Sequence, residues 1–261
     1  MTDPVLIEVA DHVATLTLNG PHNRNALTKA MGEGLRSAVA DINADHSIRC
    51  VILTGAEGAF CAGGDLSDMR SLIAREVPPY DVANHYKNSI QLPPHALYDL
   101  AVPSIAAVNG AAIGAGCDMA LMCDMRIASD QAVFAESFGR VGLISGDGGA
   151  WFLPKVVGLA KAYELTFTGD KVDAPEALRL GLVSRVVAAD ALQGAAMELA
   201  RKIARHPAHA LRMSKRLLRD HSQVSLSTSL EMAAMMQALA QSTQEHRAIV
   251  APAEDGKTTK G

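Results

Sequence analysis

The chain has 261 residues, of which 49% are hydrophobic and 20% charged, and this balance is ordinary for one large globular domain or one domain with an appendage. The formal net charge of −4 argues against a general nucleic-acid-binding surface, and no apolar run is long enough to span a membrane. The four cysteines form neither a Cys-x-x-Cys pair nor a zinc-ligand spacing, and no secretory leader is visible. We therefore expect a cytoplasmic protein with reduced thiols, no metal, no nucleic-acid partner and no membrane association.

The first part of the chain predicts two strands and a helix. Hydrophobic and polar residues alternate along residues 5–18 and turn at Asp11 and His12, which indicates a pair of short strands. A polar loop covers residues 19–25. Residues 26–42 then carry apolar side chains at helical spacing.

Two stretches that match each other closely are the most informative feature of the chain. Residues 51–66 read VILTGAEGAFCAGGDL, and residues 104–119 read SIAAVNGAAIGAGCDM. Each predicts a short apolar strand, a glycine-rich turn and an acidic residue that opens a helix. Two helix N-termini that point at one place would stabilise a developing negative charge through their free peptide N–H groups. This arrangement suits chemistry that passes through the enolate of a thioester.

Between and after these stretches the strand and helix signals continue. Residues 68–94 are polar and punctuated by prolines, so we predict a variable helix and loop that shape a substrate pocket. Residues 125–128 and 133–134 are short strand candidates. Residues 139–149 contain five glycines and precede a helix predicted over residues 151–157. The alternation indicates β-β-α or β-α units with partly parallel strands.

The last quarter of the chain predicts helices, the third of them over residues 226–249. We expect a core domain over residues 1–189, a helical region over residues 190–249 and a disordered polar tail over residues 250–261. The helical region is rich in alanine and methionine, which makes it a candidate oligomerisation element. Packing of the same side chains on the protein's own core is an equal alternative.

Several familiar motifs are incomplete in this chain. Gly256, Lys257 and Thr258 lie in the tail, and Ala251 stands where a phosphate-binding loop needs its first glycine. Ser145 is not part of a Gly-x-Ser-x-Gly elbow, and the second glycine turn lacks the Gly-x-Gly-x-x-Gly order of a dinucleotide site. The nine histidines show no ligand cluster. Metal chemistry and covalent serine chemistry are therefore not expected.

The glycine motifs occur in an order and at a spacing that are highly specific for one fold. The matching segments are residues 25–27 (NAL), 61–66 (CAGGDL), 109–124 (NGAAIGAGCDMALMCD), 134–154 and 168–183. Through them the chain resembles the crotonase (enoyl-CoA hydratase/isomerase) superfamily. The resemblance implies an α/β fold, the crotonase (ClpP-like) ββα superhelix with a C-terminal helical oligomerisation region. It also implies a homotrimer or a dimer of trimers that processes an acyl-CoA thioester, with CoA as part of the substrate and no separate cofactor.

The device that the family shares is an oxyanion hole, in which two peptide N–H groups bind the thioester oxygen. Carried over by position, the donors would be the backbone amides of Ala62 and Ala115, and Gly63, Gly64 and Gly114 would let the turns close around the thioester. The other residues implied to bind the substrate or CoA are Arg24, Asn25, Ala26, Leu27, Asp65, Leu66 and Phe138. Residues 251–255 read APAED in place of the family's usual aromatic and basic C-terminal segment.

The acid–base residues depart from the family's pattern. A hydratase of the family activates water between two glutamates, and the corresponding positions here hold Asp118 and Phe138. Because phenylalanine cannot transfer a proton, the two-glutamate mechanism cannot operate unchanged. Asp118 and Asp147 are candidates for a single carboxylate base, with a structural role at a helix start or in a loop as the alternative for each. Glu136 is a third carboxylate that could compensate, and a position at the surface or at an interface is favoured for it. Phe138 is expected either to dry the pocket or to fill the core.

These residues favour an enzyme that stabilises a thioester enolate and isomerises or hydrates an enoyl-CoA. A double-bond shift is favoured, since one acid–base group can return the proton that it removes, whereas hydration more naturally uses two. The alternative is a non-catalytic CoA-binding or scaffold protein that kept the oxyanion hole and lost the acid–base pair. The apolar side chains of residues 68–98 favour a medium, branched or cyclic apolar acyl group.

Overall fold

The structure, a computed structural model, describes residues 3–251, apart from the side chain of Ser222. Contacts within the chain divide it into two compact units, the first ending at Arg205 and the second beginning at His206. The tail that the sequence predicts to be disordered lies, from residue 252 onward, outside the described residues.

The first unit contains the strands and most of the helices. Its strands are β1 (Val5–Ala10), β2 (Val13–Leu18), β3 (Cys50–Gly55), β4 (Ala59–Cys61), β5 (Ser104–Val108), β6 (Ala111–Ile113), β7 (Met125–Ser129), β8 (Val133–Ala135), β9 (Val172–Asp173) and β10 (Arg185–Val187). Its helices are α1 (Lys29–Ala44), α2 (Leu66–Ala74), α3 (Pro79–His85), α4 (Leu92–Asp99), α5 (Ala115–Met122), α6 (Gly149–Val157), α7 (Leu159–Thr168), α8 (Ala174–Arg179) and α9 (Leu192–Ala204). A π-helical turn, Tyr86–Ile90, joins α3 to α4.

Strand pairing builds two sheets from a repeated unit. The large sheet has the order β1-β2-β3-β5-β7-β10, and all its neighbours are parallel except the β1–β2 hairpin. The small sheet has the order β4-β6-β8-β9, in which only β8 and β9 are antiparallel. Each unit places one strand in the large sheet and the next in the small sheet, and the first two units then add a helix. This ββα superhelix confirms the α/β fold expected from the sequence.

Apolar burial fixes the layers of the first unit. Every residue of β3 and β5 is buried, as expected for central parallel strands that are covered on both faces. On one face, α9 buries Leu192, Ala196 and Ala200 in a cluster that includes Ile52 and Ile105 of those strands. Helix α9 therefore packs on the large sheet and lies within the first unit.

Two predicted elements differ from the structure for local reasons. Helix α1 begins at Lys29 rather than at residue 26, because the Thr28 hydroxyl accepts a hydrogen bond from the Met31 amide at 3.1 Å and caps the helix. Residues 68–94 are largely helical, since α2, α3, the π-helical turn and the first turn of α4 fall there.

The second unit consists of α10 (Ala208–Asp220), α11 (Leu226–Ser242) and α12 (Gln244–Val250). The helix predicted over residues 226–249 is interrupted at Thr243, whose backbone is extended and whose hydroxyl accepts a hydrogen bond from the His246 amide at 3.2 Å. None of the described residues of these three helices is buried. Large apolar side chains are exposed at Leu218, Leu226, Leu230, Met235, Leu239, Ile249 and Val250.

Substitution of Gly116 by alanine should destabilise the first unit, because a Cβ built there lies 2.1 Å from the Cys61 carbonyl oxygen, a backbone atom. Forcing the two backbones apart should lower the free energy of unfolding by about 2–3 kcal/mol. The matched variant Gly194→Ala, in α9, meets nothing within 4 Å and should raise stability by about 0.5–1 kcal/mol. Urea unfolding of both variants measures the difference, and equal effects would contradict the close contact.

Candidate active site

The two glycine turns lie side by side in the small sheet. Strands β4 and β6 are parallel neighbours, with Ala59 opposite Ala111, so the turns that follow them leave the same edge. Gly63 has a φ of +100°, and a Cβ built on it would lie 2.7 Å from the carbonyl oxygen of Ile113. The two backbones therefore approach more closely than any side chain allows. The structure brings Ala62 and Ala115 together at this contact.

The peptide N–H groups of these two alanines are not equivalent. Ala115 is the first residue of α5, where a helix provides no acceptor for the N–H group. The Ala62 N–H donates a hydrogen bond to the Arg24 carbonyl oxygen at 3.0 Å. A thioester oxygen would therefore find the Ala115 donor available and would compete with a carbonyl group for the Ala62 donor.

The loop over residues 24–27 contacts the first glycine turn, and the Leu27 N–H donates to the Gly63 carbonyl oxygen at 2.7 Å. The Asn25 side chain is fully buried, accepting from the Gly20 amide and donating to the carbonyl oxygens of Ala56 and Ala59. All of its hydrogen-bonding capacity is thus used within the chain. Asn25 positions the loop, while the exposed side chain of Arg24 faces solvent.

Asp65 and Leu66 have local roles at the start of α2. The Asp65 carboxylate accepts hydrogen bonds from the Ser67 amide at 2.7 Å and from the Ser67 hydroxyl at 2.6 Å, and these bonds lower its pKa. It therefore serves as a helix cap. Leu66 is 54% exposed. Met69, one turn later, approaches Gly64 closely enough that a Cβ there would lie 2.8 Å from its terminal methyl group.

Three carboxyl groups are buried together next to the second glycine turn. Asp118 in α5 is 0% exposed, Glu136 after β8 is 2% exposed, and Asp147 in the loop before α6 is 3% exposed. The Asp118 carboxyl group lies close enough to the other two to shift their pKa values, and one oxygen of each of the three groups is buried without a hydrogen-bond partner. Sequence reasoning singled out Asp118 and Asp147 separately, and the structure places them in one cluster.

The prediction for Glu136 was wrong, because its side chain is buried rather than at the surface. Strand β8 ends at Ala135, and a 3-10 turn, Ser137–Val141, follows, so strand alternation does not extend to this residue. Its carboxyl group contacts Asp118 and the Cys117 thiol. The Val-Phe-Ala strand immediately before Glu136 was the one sequence signal that could have indicated burial.

Burial raises the pKa of all three carboxyl groups. For Asp118, burial is the largest cause and the charge of Glu136 adds to it. Burial and the charge of Asp118 raise the pKa of Asp147 to about 9. The three groups therefore titrate as a coupled cluster in which burial favours the protonated forms.

Phe138 lies against the second glycine turn. A Cβ built on Gly114 would lie 3.6 Å from the tip of the Phe138 ring, so the ring borders the first turn of α5. The side chain is partly exposed rather than a fully buried core aromatic. Its position lets it cover the donor end of α5 with an apolar surface.

Two residues contact the Asp147 loop: Gln91, which the sequence did not single out, and Tyr86, one of the side chains in the segment expected to shape the pocket. The Gln91 side chain donates a hydrogen bond to the Gly146 carbonyl oxygen at 2.8 Å, and the Tyr86 ring lies against the Gly146 Cα atom. Burial and the charge of Asp147 raise the pKa of Tyr86. Both residues belong to the segment between α3 and α4, which therefore forms a roof over the carboxyl groups.

The buried thiols near the site are not reactive. Burial raises the pKa of Cys61 to about 12 and that of Cys117 well above its usual value, so neither thiol is a ready nucleophile. Within residues 3–251, no group of three or more histidine, cysteine or acidic side chains is placed to hold a metal ion. None of the helices described is both long and apolar enough to cross a bilayer.

Comparison with known proteins agrees with this fold. A family model described as Enoyl-CoA hydratase/isomerase matches residues 8–259. The chain therefore belongs to the enoyl-CoA hydratase/isomerase family and is an enzyme of that family.

Individual relatives cover most of the chain. A short-chain-enoyl-CoA hydratase of Clostridium acetobutylicum is 36% identical over 228 residues, 87% of this chain and 85% of that protein. The 1,2-epoxyphenylacetyl-CoA isomerase of Escherichia coli K12 is 34% identical over 247 residues, 95% of this chain and 94% of that protein. The crystal structure of an enoyl-CoA hydratase/isomerase from Cupriavidus metallidurans CH34 matches with a TM-score of 0.87 and 32% identity, over 95% of this chain and 92% of that one.

The raised pKa of Asp147 predicts that stability falls as pH rises. The folded state keeps a proton that the unfolded state loses at about 3.8, so the stabilisation is fully present below that value and is lost up to about pH 9. The free energy of unfolding should fall by up to about 1.4 kcal/mol per pH unit for this group. Asp147→Asn should reduce the slope, and the exposed control Asp130→Asn should not. Urea unfolding between pH 5.5 and 8.5 tests this, and equal slopes in both variants would contradict it.

Proposed function

We propose that this protein shifts the double bond of an enoyl-CoA thioester through a thioester enolate. The observation that carries the proposal is the burial of the Asp118 and Asp147 carboxyl groups beside the paired glycine turns, close enough to shift each other's pKa. Buried carboxyl groups with strongly raised pKa values are typical of functional sites. They also cost stability, which a protein that only bound CoA would have no reason to retain.

Backbone N–H groups stabilise the enolate in this proposal. Ala115 supplies a donor at the start of α5, where the helix dipole also favours negative charge. Ala62 supplies the second donor when the thioester oxygen replaces or shares the bond with the Arg24 carbonyl group. One such donor contributes roughly 3–4 kcal/mol of transition-state stabilisation.

The aspartate pair moves the proton. In its ionised form Asp118 removes a proton from C2 of a 3-enoyl-CoA, which leaves a dienolate. Asp147 donates its proton to C4, which gives the 2-enoyl-CoA. The proton on Asp118 then passes to Asp147 through their contact, so the pair returns to its starting state with no net gain or loss of protons.

The close approach of the two buried carboxyl groups favours isomerisation over hydration. A hydratase of the two-carboxylate kind holds a water molecule between its acid and its base, and this proposal needs no such water. Phe138 occupies the position of the second glutamate and presents an apolar ring there. Hydration remains the second candidate, since relatives such as the Clostridium acetobutylicum protein carry the hydratase name.

The substrate enters beneath the roof in this proposal. Because all three carboxyl groups are at most 3% exposed, an acyl group reaches them only when the roof residues move aside. Met69 and Tyr86 present apolar surface around the turns, which favours a medium, branched or cyclic apolar acyl group. The exposed Arg24 is placed to meet a CoA phosphate group.

The assembly proposed is a homotrimer or a dimer of trimers in the cytoplasm, acting in fatty acid metabolism. It would form through the helical region of residues 190–249. Helices α11 and α12 have exposed apolar side chains, and none of their described residues is buried within the chain. This exposed apolar surface supports the assignment. Sedimentation equilibrium of the full chain should give a trimeric or hexameric mass, and a monomeric mass would contradict the assembly.

Turnover of matched 3-enoyl-CoA and 2-enoyl-CoA thioesters tests the function. The 3-enoyl substrates should isomerise, and Asp118→Asn and Asp147→Asn should each reduce kcat at least about 100-fold, as expected for loss of an acid–base group. Asp130→Asn, which removes an exposed carboxyl group, is the control.

Each other outcome selects a different function. Fast hydration of 2-enoyl-CoA without isomerisation would replace the isomerase proposal with hydration by an aspartate pair. Tight acyl-CoA binding without turnover of any substrate would favour the non-catalytic alternative.

A further inference from the structure

Ser145 stands beside the aspartate pair and takes no part in the steps described above. It lies in the loop between the 3-10 turn and α6, and its side chain is partly buried. Its hydroxyl group donates a hydrogen bond to Asp118 Oδ2 at 3.0 Å and accepts one from the Ala150 amide at 3.3 Å. Ser145 therefore connects the Asp118 carboxyl group to the first turn of α6.

The two hydrogen bonds of Ser145 favour negative charge on Asp118. The Ala150 N–H belongs to the first turn of a nine-residue helix, where unpaired amides and the helix dipole favour negative charge. An N–H that donates to a hydroxyl oxygen polarises the O–H bond, and that O–H becomes a stronger donor to a carboxylate. Ser145 thereby carries the effect of the α6 N-terminus to an oxygen that no α6 amide bonds directly.

The other ionisable groups around the pair are acids. Glu136 faces Asp118 from the residue after β8 and Cys117 from α5, while Cys61 and Tyr86 face Asp147 from β4 and the roof. No cation is among the groups that shift the pKa of either aspartate. Burial favours the protonated forms, and a base must be ionised to work. The Ser145 hydroxyl group opposes burial for both aspartates, beside the Asp147 side chain for Asp118 and a backbone amide for Asp147.

The geometry around Asp118 leaves the carboxyl group little freedom. A Cβ built on Gly149 would lie 2.0 Å from Asp118 Oδ1, so the backbone of α6 closes one side of the carboxyl group. The Ser145 hydroxyl holds the other oxygen. Helix α6 and its preceding loop thus set both the orientation and the charge of a residue that lies in α5.

We propose that Ser145 is a positioning residue that favours the ionised form of Asp118, the base of the aspartate pair, by linking it to the N-terminus of α6. This inference rests on the proposed isomerisation, in which Asp118 removes the proton. It predicts that the serine hydroxyl, rather than the bulk of the side chain, sets the pH at which the enzyme becomes active.

The experiment compares Ser145→Ala, Ser145→Thr and the control Ser184→Ala. Ser184 is exposed and its hydroxyl group donates to the Arg126 carbonyl oxygen, so its loss removes one hydroxyl–backbone bond that does not involve the carboxyl groups. In Ser145→Ala the acidic limb of the kcat/KM profile for a 3-enoyl-CoA should move to higher pH by about one unit. Ser145→Thr, which keeps the hydroxyl group, and Ser184→Ala should both retain the parent profile.

A second readout does not depend on turnover. Infrared titration follows the C=O band of protonated carboxyl groups, and the contribution of Asp118 is the part that disappears in Asp118→Asn. In Ser145→Ala, the pH midpoint of the Asp118 infrared titration should rise by the same amount as the acidic limb of the kcat/KM profile. If the parent protein turns over no enoyl-CoA but this midpoint still rises, the proposed reaction fails and the role of Ser145 in holding the charge stands.

Two outcomes would overturn the inference. An unchanged infrared midpoint in Ser145→Ala would show that the hydroxyl group does not hold the charge. An equal shift in Ser145→Thr would show that packing of the loop, not the hydroxyl group, is responsible.

Discussion

The structure depends on the contact between two backbone turns. Because β4 and β6 are parallel neighbours, the turns after them meet with the Gly116 Cα atom against the Cys61 carbonyl group and Gly63 against the Ile113 carbonyl group. Only glycine permits both approaches. The contact fixes the start of α5, and therefore the Ala115 amide and, one turn later, the Asp118 carboxyl group. The repeated ββα unit is the reason that two segments distant in sequence produce this symmetrical pair of turns.

Burying three carboxyl groups together lowers the stability that the packed turns provide. Three buried acids with no cation among the groups that shift their pKa values favour protonation. Such a cluster is weakly stabilising at best at neutral pH. In the proposed mechanism this burial serves proton transfer, since it keeps two carboxyl groups close together and shielded from water. The Phe138 ring borders the start of α5 beside them.

The segments that carry the buried carboxyl groups differ from the segment that covers them. The carboxyl groups lie on α5, after β8 and before α6, while Tyr86 and Gln91 contact the Asp147 loop from the segment before α4. A π-helical turn in that segment is a feature often found at functional sites. Movement of the roof would expose the carboxyl groups and release the Gly146 carbonyl group together, which couples substrate entry to the position of Asp147.

The sequence by itself determined the two glycine units, the strand hairpin at Asp11 and His12, the family and the departure of Asp118 and Phe138 from the two-glutamate pattern. These properties depend on residue type and on spacing within short segments, which a sequence shows directly. Only the tertiary structure decided that Glu136 is buried, that the Ala62 amide bonds to Arg24, and that Ser145 reaches across 27 residues to Asp118. Each of these depends on which distant segments pack together, because burial and hydrogen-bond partners are properties of the packed chain rather than of a local pattern.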